Sequence, residues 1–159
     1  ASIRQNHLEP IINKVSSLFG PQAKKQGVNI TTKIISDLPV IDLDATQIIT
    51  ALSNIIENSL EAISGSGIIE LTVCRDENNS VLLIVKDSGS GIALEKLDSV
   101  YDPFVTSKTS GAGLGLTMVH QIVSNHHGEM SISSDQNQGT TVTIKLPINY
   151  SESFKEKRG

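Results

Sequence analysis

A chain of 159 residues, 38% hydrophobic and 19% charged, has room for one domain with a substantial core. A net charge of −4, with basic residues gathered only at Lys155, Lys157 and Arg158, argues against a nucleic-acid partner. No apolar run approaches membrane-spanning length, the N-terminus has no signal-peptide pattern, and a single cysteine, Cys74, excludes an internal disulfide or a cysteine-based metal site. Aromatic residues are 3% and Trp is absent, so Leu, Ile and Val must fill the core. His7, His120, His126 and His127 have no metal-ligand spacing with carboxylates.

Leu8, Ile11, Ile12, Val15, Leu18 and Phe19 keep helical spacing, which predicts a helix from about Gln5 to Gln26, with Gly27 ending it. Pro10 suits its first turn, and Gly20-Pro21 is expected to kink or split it. Val28, Ile30, Thr32 and Ile34 alternate as in a half-buried strand, and Val40-Ile41 add a very short one. Asp44 is placed to cap the next helix, with Gln47 as its reciprocal partner, and that helix runs to about Ile63. Asn54 and Asn58 project from one of its faces; Ile48, Leu52, Ile55, Ile56, the small Ser59 and Ile63 form the other stripe.

Two strands follow, about Ile68 to Arg75 and Ser80 to Lys86. The second is apolar from Val81 to Val85, which predicts a central position in its sheet. A short helix is expected from Leu94 to Val100, and a longer one from Gly113 to Asn125 with Gly128 just past its end. Strands Glu129 to Ser134 and Thr140 to Leu146 form a closing hairpin. The pattern predicts an α+β fold: a two-layer sandwich, about three main helices on one face of a mixed, mostly antiparallel sheet of about five strands. Residues 1–148 form the domain, and 149–159 a charged, loose tail.

Asp87-Ser88-Gly89-Ser90-Gly91 comes directly off the apolar strand. Its carboxylate only accepts, which suits an exocyclic amine such as that of adenine, and its glycines let a flat ligand approach the main chain. Gly111-Ala112-Gly113-Leu114-Gly115 opens a helix, where free N–H groups and a positive dipole potential favour phosphate. Lys108 lies just before it, from where it could reach a terminal phosphate. Read alone, each stretch is as compatible with an ordinary glycine-rich turn or a solvated loop lysine.

Their order is more specific. Asn54-Ile55-Ile56-Glu57-Asn58-Ser59-Leu60-Glu61-Ala62 resembles an N box, Asp87 to Gly91 a first glycine box, Tyr101-Asp102-Pro103-Phe104 an F box, and Gly111 to Gly115 a second glycine box. With the closing run from Gly139 to Pro147, the chain from about Leu8 to Pro147 resembles the catalytic ATP-binding domain of bacterial two-component sensor histidine kinases. That family lies within the superfamily of gyrase, Hsp90 and MutL, whose fold is the Bergerat type. Six residues between Phe104 and Gly111 make a short lid, similar to that of nitrogen-regulation-type kinases.

The resemblance implies that Asn58 ligates Mg²⁺ and that Asn54 lies one turn away near the phosphates. Asp87 would accept from adenine, with Gly89 and Gly91 letting the base pack closely. Thr140 or Thr141 would complete that site; alternation alone does not decide between them. Gly111, Gly113, Leu114 and Gly115 would hold the triphosphate of ATP, Ser107 and Lys108 would act from the lid, and Phe104 would anchor the lid by burial. Hydrolysing members place Glu where this chain has Asn54, and an amide is no useful base at neutral pH. Transfer to a histidine is the expected chemistry, with Asn54, Glu57 and Lys108 taking part. Glu57 either contacts the incoming imidazole or is solvated. The His7-Leu8-Glu9-Pro10 stretch lacks the acceptor pattern, so the expected partners are a separate dimerisation and phosphoacceptor domain and, downstream, a response regulator. The expected location is cytoplasmic, with no membrane contact by this domain. A pseudo-kinase interaction module and an anti-sigma-type serine kinase are the alternatives.

Overall fold

The computed structural model describes residues 2–35, 38–77, 79–89, 112–135 and 139–149; side chains are described within these except at 112–115 and 135. The expected short helix at Leu94 to Val100, the Tyr101 to Phe104 run and the C-terminal tail beyond Asn149 lie outside them.

A five-stranded sheet carries the fold. In chain order the elements are β1 (Arg4–Asn6), α1 (Leu8–Gln26), β2 (Val28–Ile34), β3 (Ile41–Leu43), α2 (Ala45–Ala62), β4 (Gly67–Asp76), β5 (Ser80–Asp87), α3 (Ala112–Asn125), β6 (Glu129–Asp135) and β7 (Gly139–Pro147). The sheet order is β2-β4-β5-β7-β6. β2 pairs with β4 in parallel and every other pair is antiparallel, so the sheet is mixed as expected. β5 lies at its centre. Its alternation is nonetheless visible: Val81, Leu83 and Val85 are buried, while Leu82 and Ile84 on the other face are only half-buried. Two layers, with helices on one face only, account for that difference.

Ile69, Leu71 and Val73 of β4, the inward residues of β5, and Val142, Ile144 and Leu146 of β7 face the helices. Against them lie Ile48, Leu52, Ile55 and Ile56 of α2 and Leu116, Val119 and Val123 of α3. α2 packs on both α1 and α3, so it is the middle helix of the layer. Gln26 at the end of α1 donates through Nε2 to the carbonyls of Leu60 and Ile63 (2.9 and 3.1 Å), satisfying acceptors that the last turn of α2 leaves open.

Three expectations need correction. The first helix does not begin at Gln5: Arg4–Asn6 pairs antiparallel with Ile41–Leu43 in a separate two-stranded sheet. The Asn6 amide donates to the carbonyls of Arg4 and Leu43, fixing this extension by contacts distant in sequence. Pro21 does not split α1, which is continuous through it. Both Pro21 and Ser17, whose carbonyl loses its helical donor, are exposed, so water can replace the missing bond. Lastly, Asp44 caps α2 by accepting from the Gln47 N–H at 3.2 Å, but Gln47 does not reciprocate. The Asp44 N–H instead donates to Nε2 of His126 at 3.0 Å, and Gln47 Oε1 is buried with no partner among the described residues.

Candidate nucleotide site

The C-terminal end of β5 brings Asp87 beside α2 and β7. Its parity matches Val81, Leu83 and Val85, so the carboxylate points into the helix layer, where it is 6% exposed. A buried carboxylate needs donors, and the fold supplies three among the described residues. Oδ1 accepts from the N–H of Gly89 (2.8 Å) and of Thr140 (3.2 Å). Oδ2 accepts from the hydroxyl of Ser59 on α2 at 2.9 Å.

Close approach of backbone makes this possible. A Cβ at Gly89 would stand 3.0 Å from Cβ and O of Ala62 and from Asp87 Oδ1. Gly139 has a φ of +91°, and a Cβ there would run into the Asp87 carbonyl. Cross-strand pairing sets Asp87 opposite Thr140. Thr140 is buried on the same face, and its hydroxyl pairs with that of Ser134 at 2.9 Å, with Ser134 also reaching the Gly139 carbonyl. Thr141 pairs with Lys86 and Ser133 and belongs by parity to the opposite face of the sheet.

Asn54 and Asn58 are half-buried on α2, and the Nδ2 atom of each is buried with no partner among the described residues. An orphaned amide inside a protein costs about 1–3 kcal/mol, so two on one helical face mark a polar place whose partners are not among the described residues. Glu57 is exposed on the same helix. Gly113, Leu114 and Gly115 fall in the first turn of α3, where backbone N–H groups have no helical acceptors. Gly91, Ser107, Lys108 and Gly111 lie outside the described residues.

Ser59, Ser134, His126 and Gly139 contribute contacts that sequence reasoning did not assign. Ser59 reads as a small member of the core stripe; its one signal is a hydroxyl directly after Asn58 on an otherwise apolar face.

Residues 43–150 match the family model described as histidine kinase-, DNA gyrase B- and HSP90-like ATPase. The chain belongs to this family. The sensor histidine kinase ZraS of Escherichia coli K12 is 34% identical over 142 residues, and sporulation kinase B of Bacillus subtilis is 35% identical over 141. These matches cover 89% and 88% of the chain but only 30% and 32% of the relatives, so it spans about a third of their length. Among solved structures, the catalytic domain of histidine kinase ThkA superposes with a TM-score of 0.86 at 26% identity, covering 96% of this chain and 99% of that one. Full-length ShkA in complex with AMPPNP gives 0.83 at 27% identity, covering 92% of this chain and 31% of that one. Within the family, the domain is of the ATP-binding catalytic kind found in two-component sensor histidine kinases. No helix among the described residues is long and apolar enough to cross a membrane.

Proposed function

We propose that this domain binds Mg-ATP between α2, the end of β5 and the start of α3, and presents the γ-phosphate to a histidine on a separate dimerisation and phosphoacceptor domain. The observation that carries the reading is the buried Asp87 carboxylate, held by Gly89, Thr140 and Ser59, the last on the helix whose Asn54 and Asn58 amides have no partner among the described residues. An acceptor-only group at the end of a central strand suits the amine of adenine. Thr140, on the same face as Asp87, is the threonine assigned to that site, and Gly91 would let the base lie close.

Asn58 would hold Mg²⁺ through its side-chain oxygen. A neutral amide fits a hard ion that keeps waters and takes its counter-charge from phosphates. The bound ion would offset the negative charge of the β- and γ-phosphates. Asn54 would lie beside the phosphates, and the N–H groups of Gly113, Leu114 and Gly115 would face them across the helix start. Gly111 belongs to this assignment with the glycine run, and Ser107 and Lys108 as lid residues. Asn54 cannot take a proton from water at neutral pH, so the domain protects the γ-phosphate until an imidazole attacks it. Glu57, exposed on the same helix, would stabilise the positive charge that develops on that imidazole. A response regulator would receive the phosphoryl group downstream; for ThkA, a complex with the response regulator TrrA is known.

Titration with Mg-ATP, followed by mixing with dimeric acceptor-helix domains of sensor kinases, tests this. The expected outcome is saturable ATP binding, negligible phosphorylation of the domain alone, and acid-labile phosphohistidine on the acceptor. Asp87→Asn, which can turn an N–H toward the adenine amine, should weaken ATP binding by at least about tenfold. Unchanged ATP affinity in that variant would remove the assignment, and rapid steady-state hydrolysis would contradict the role given to Asn54.

A further inference from the structure

Asp87 offers a ligand less than its charge suggests. A carboxylate has about four in-plane acceptor positions, two on each oxygen. The N–H groups of Gly89 and Thr140, at 2.8 and 3.2 Å, both approach Oδ1. The Ser59 hydroxyl, at 2.9 Å, takes one position on Oδ2. Counted over the described residues, one position remains, and it is on Oδ2. Ser59 is only 4% exposed and Asp87 6% exposed, so both partners of this hydrogen bond lie inside the protein.

We infer that Ser59 is a positioning residue that makes Asp87 a single-donor acceptor, and that it thereby sets the base specificity of the site. The inference rests on the reading of Asp87 as the group that meets the base. A purine with one N–H directed at the carboxylate, as from the 6-amino group of adenine, satisfies the remaining position. Guanine would present two parallel donors, from N1 and the 2-amino group, and would need a free position on each oxygen. Oδ1 has none. Without the Ser59 hydroxyl, the carboxylate can turn about its last torsion and take one backbone donor on each oxygen. One free position then remains on each, the arrangement that two parallel donors need. Ser59 comes from α2, the helix of Asn54 and Asn58, whereas Asp87 comes from β5. Base selection is therefore coupled to the seating of that helix.

ADP and GDP affinities, measured without metal on the wild-type chain, Ser59→Ala, Ser59→Cys and Asp87→Asn, give the test. ADP and GDP share the same phosphates, so their ratio reports the base alone. In Ser59→Ala, ADP binding should weaken about tenfold and the preference for ADP over GDP should shrink by about tenfold. Ser59→Cys, with a weaker donor of similar shape, should give an intermediate ratio. A structural role only would lower both affinities by one factor; an unchanged ADP-to-GDP ratio in Ser59→Ala overturns the inference. Asp87→Asn separates the two readings. If it loses ADP while Ser59→Ala keeps the ratio, only the role of Ser59 fails. If it binds ADP as the wild type does, the assignment of Asp87 fails first.

Discussion

Gly139 and Gly65 make a controlled pair. Both hold positive φ, +91° and +79°, where an L side chain is strained. Their surroundings differ: nothing lies within 4 Å of a Cβ at Gly65, whereas one at Gly139 meets the Asp87 carbonyl. Gly65→Ala should therefore cost only the conformational term, about 1–2 kcal/mol. Gly139→Ala should cost roughly 3 kcal/mol or more, because the β7 backbone must also move away from Asp87. That movement would pull the Thr140 N–H off Oδ1, so ATP affinity should fall in Gly139→Ala and stay unchanged in Gly65→Ala. Chemical denaturation with nucleotide titration checks both; equal losses of stability and unchanged ATP binding in the two variants would remove the close-approach argument.

The N-terminus of α2 shows where a sequence stops speaking at the level of elements. Asp44 followed three residues on by Gln47 is legible as a capping box, and half of it forms. The other half is supplied by His126, 82 residues away, whose Nε2 accepts from the Asp44 N–H while Nδ1 lies 2.8 Å from the Ile122 carbonyl. Nε2 accepts, so Nδ1 carries the proton and donates. Local pattern cannot foresee this exchange, and the same applies to β1, a three-residue strand whose partner β3 is far along the chain. The long elements, with their regular periods, were legible; Ser59 was not, since only its neighbour across the core shows what the hydroxyl is for.

His126→Ala leaves the Asp44 N–H and the Ile122 carbonyl without their buried partner and opens a void, at a cost of about 2–4 kcal/mol read as a fall in Tm. Asp44 itself is held below its ordinary value of 3.8, chiefly by the Ser2 N–H and then by those of Gln47 and Thr46, with burial opposing. A folded pKa below the unfolded one means stability is fully present above 3.8 and is lost as pH falls from there through the lower folded value. Asp44→Asn keeps a capping acceptor but cannot titrate, so its acid unfolding profile should be flatter in that window. An identical slope in both proteins would show that the carboxylate does not contribute.

At the scale of the whole molecule, the site and the core share their parts. Asp87 ends the central strand, Thr140 begins its neighbour, and Ser59 lies on the helix that both α1 and α3 grip. None of these three residues can be released without exposing Ile55, Ile56, Val85 or Val142. A nucleotide that binds here should therefore stabilise the fold globally rather than tighten a loop. For a ligand that binds only the folded state, 100 times Kd contributes about 2.7 kcal/mol and 1,000 times Kd about 4.1. At about 2–4 °C per kcal/mol for a domain of this size, Tm should rise by roughly 8–16 °C at the higher excess of Mg-ATP. Hydrogen exchange should slow together in α2, β5 and β7, since these amides then open only by global unfolding. Asp87→Asn should show neither change at the same nucleotide concentration. Protection confined to the start of α3, with β5 and β7 unaffected, would place the nucleotide away from Asp87 and break the link between core and site.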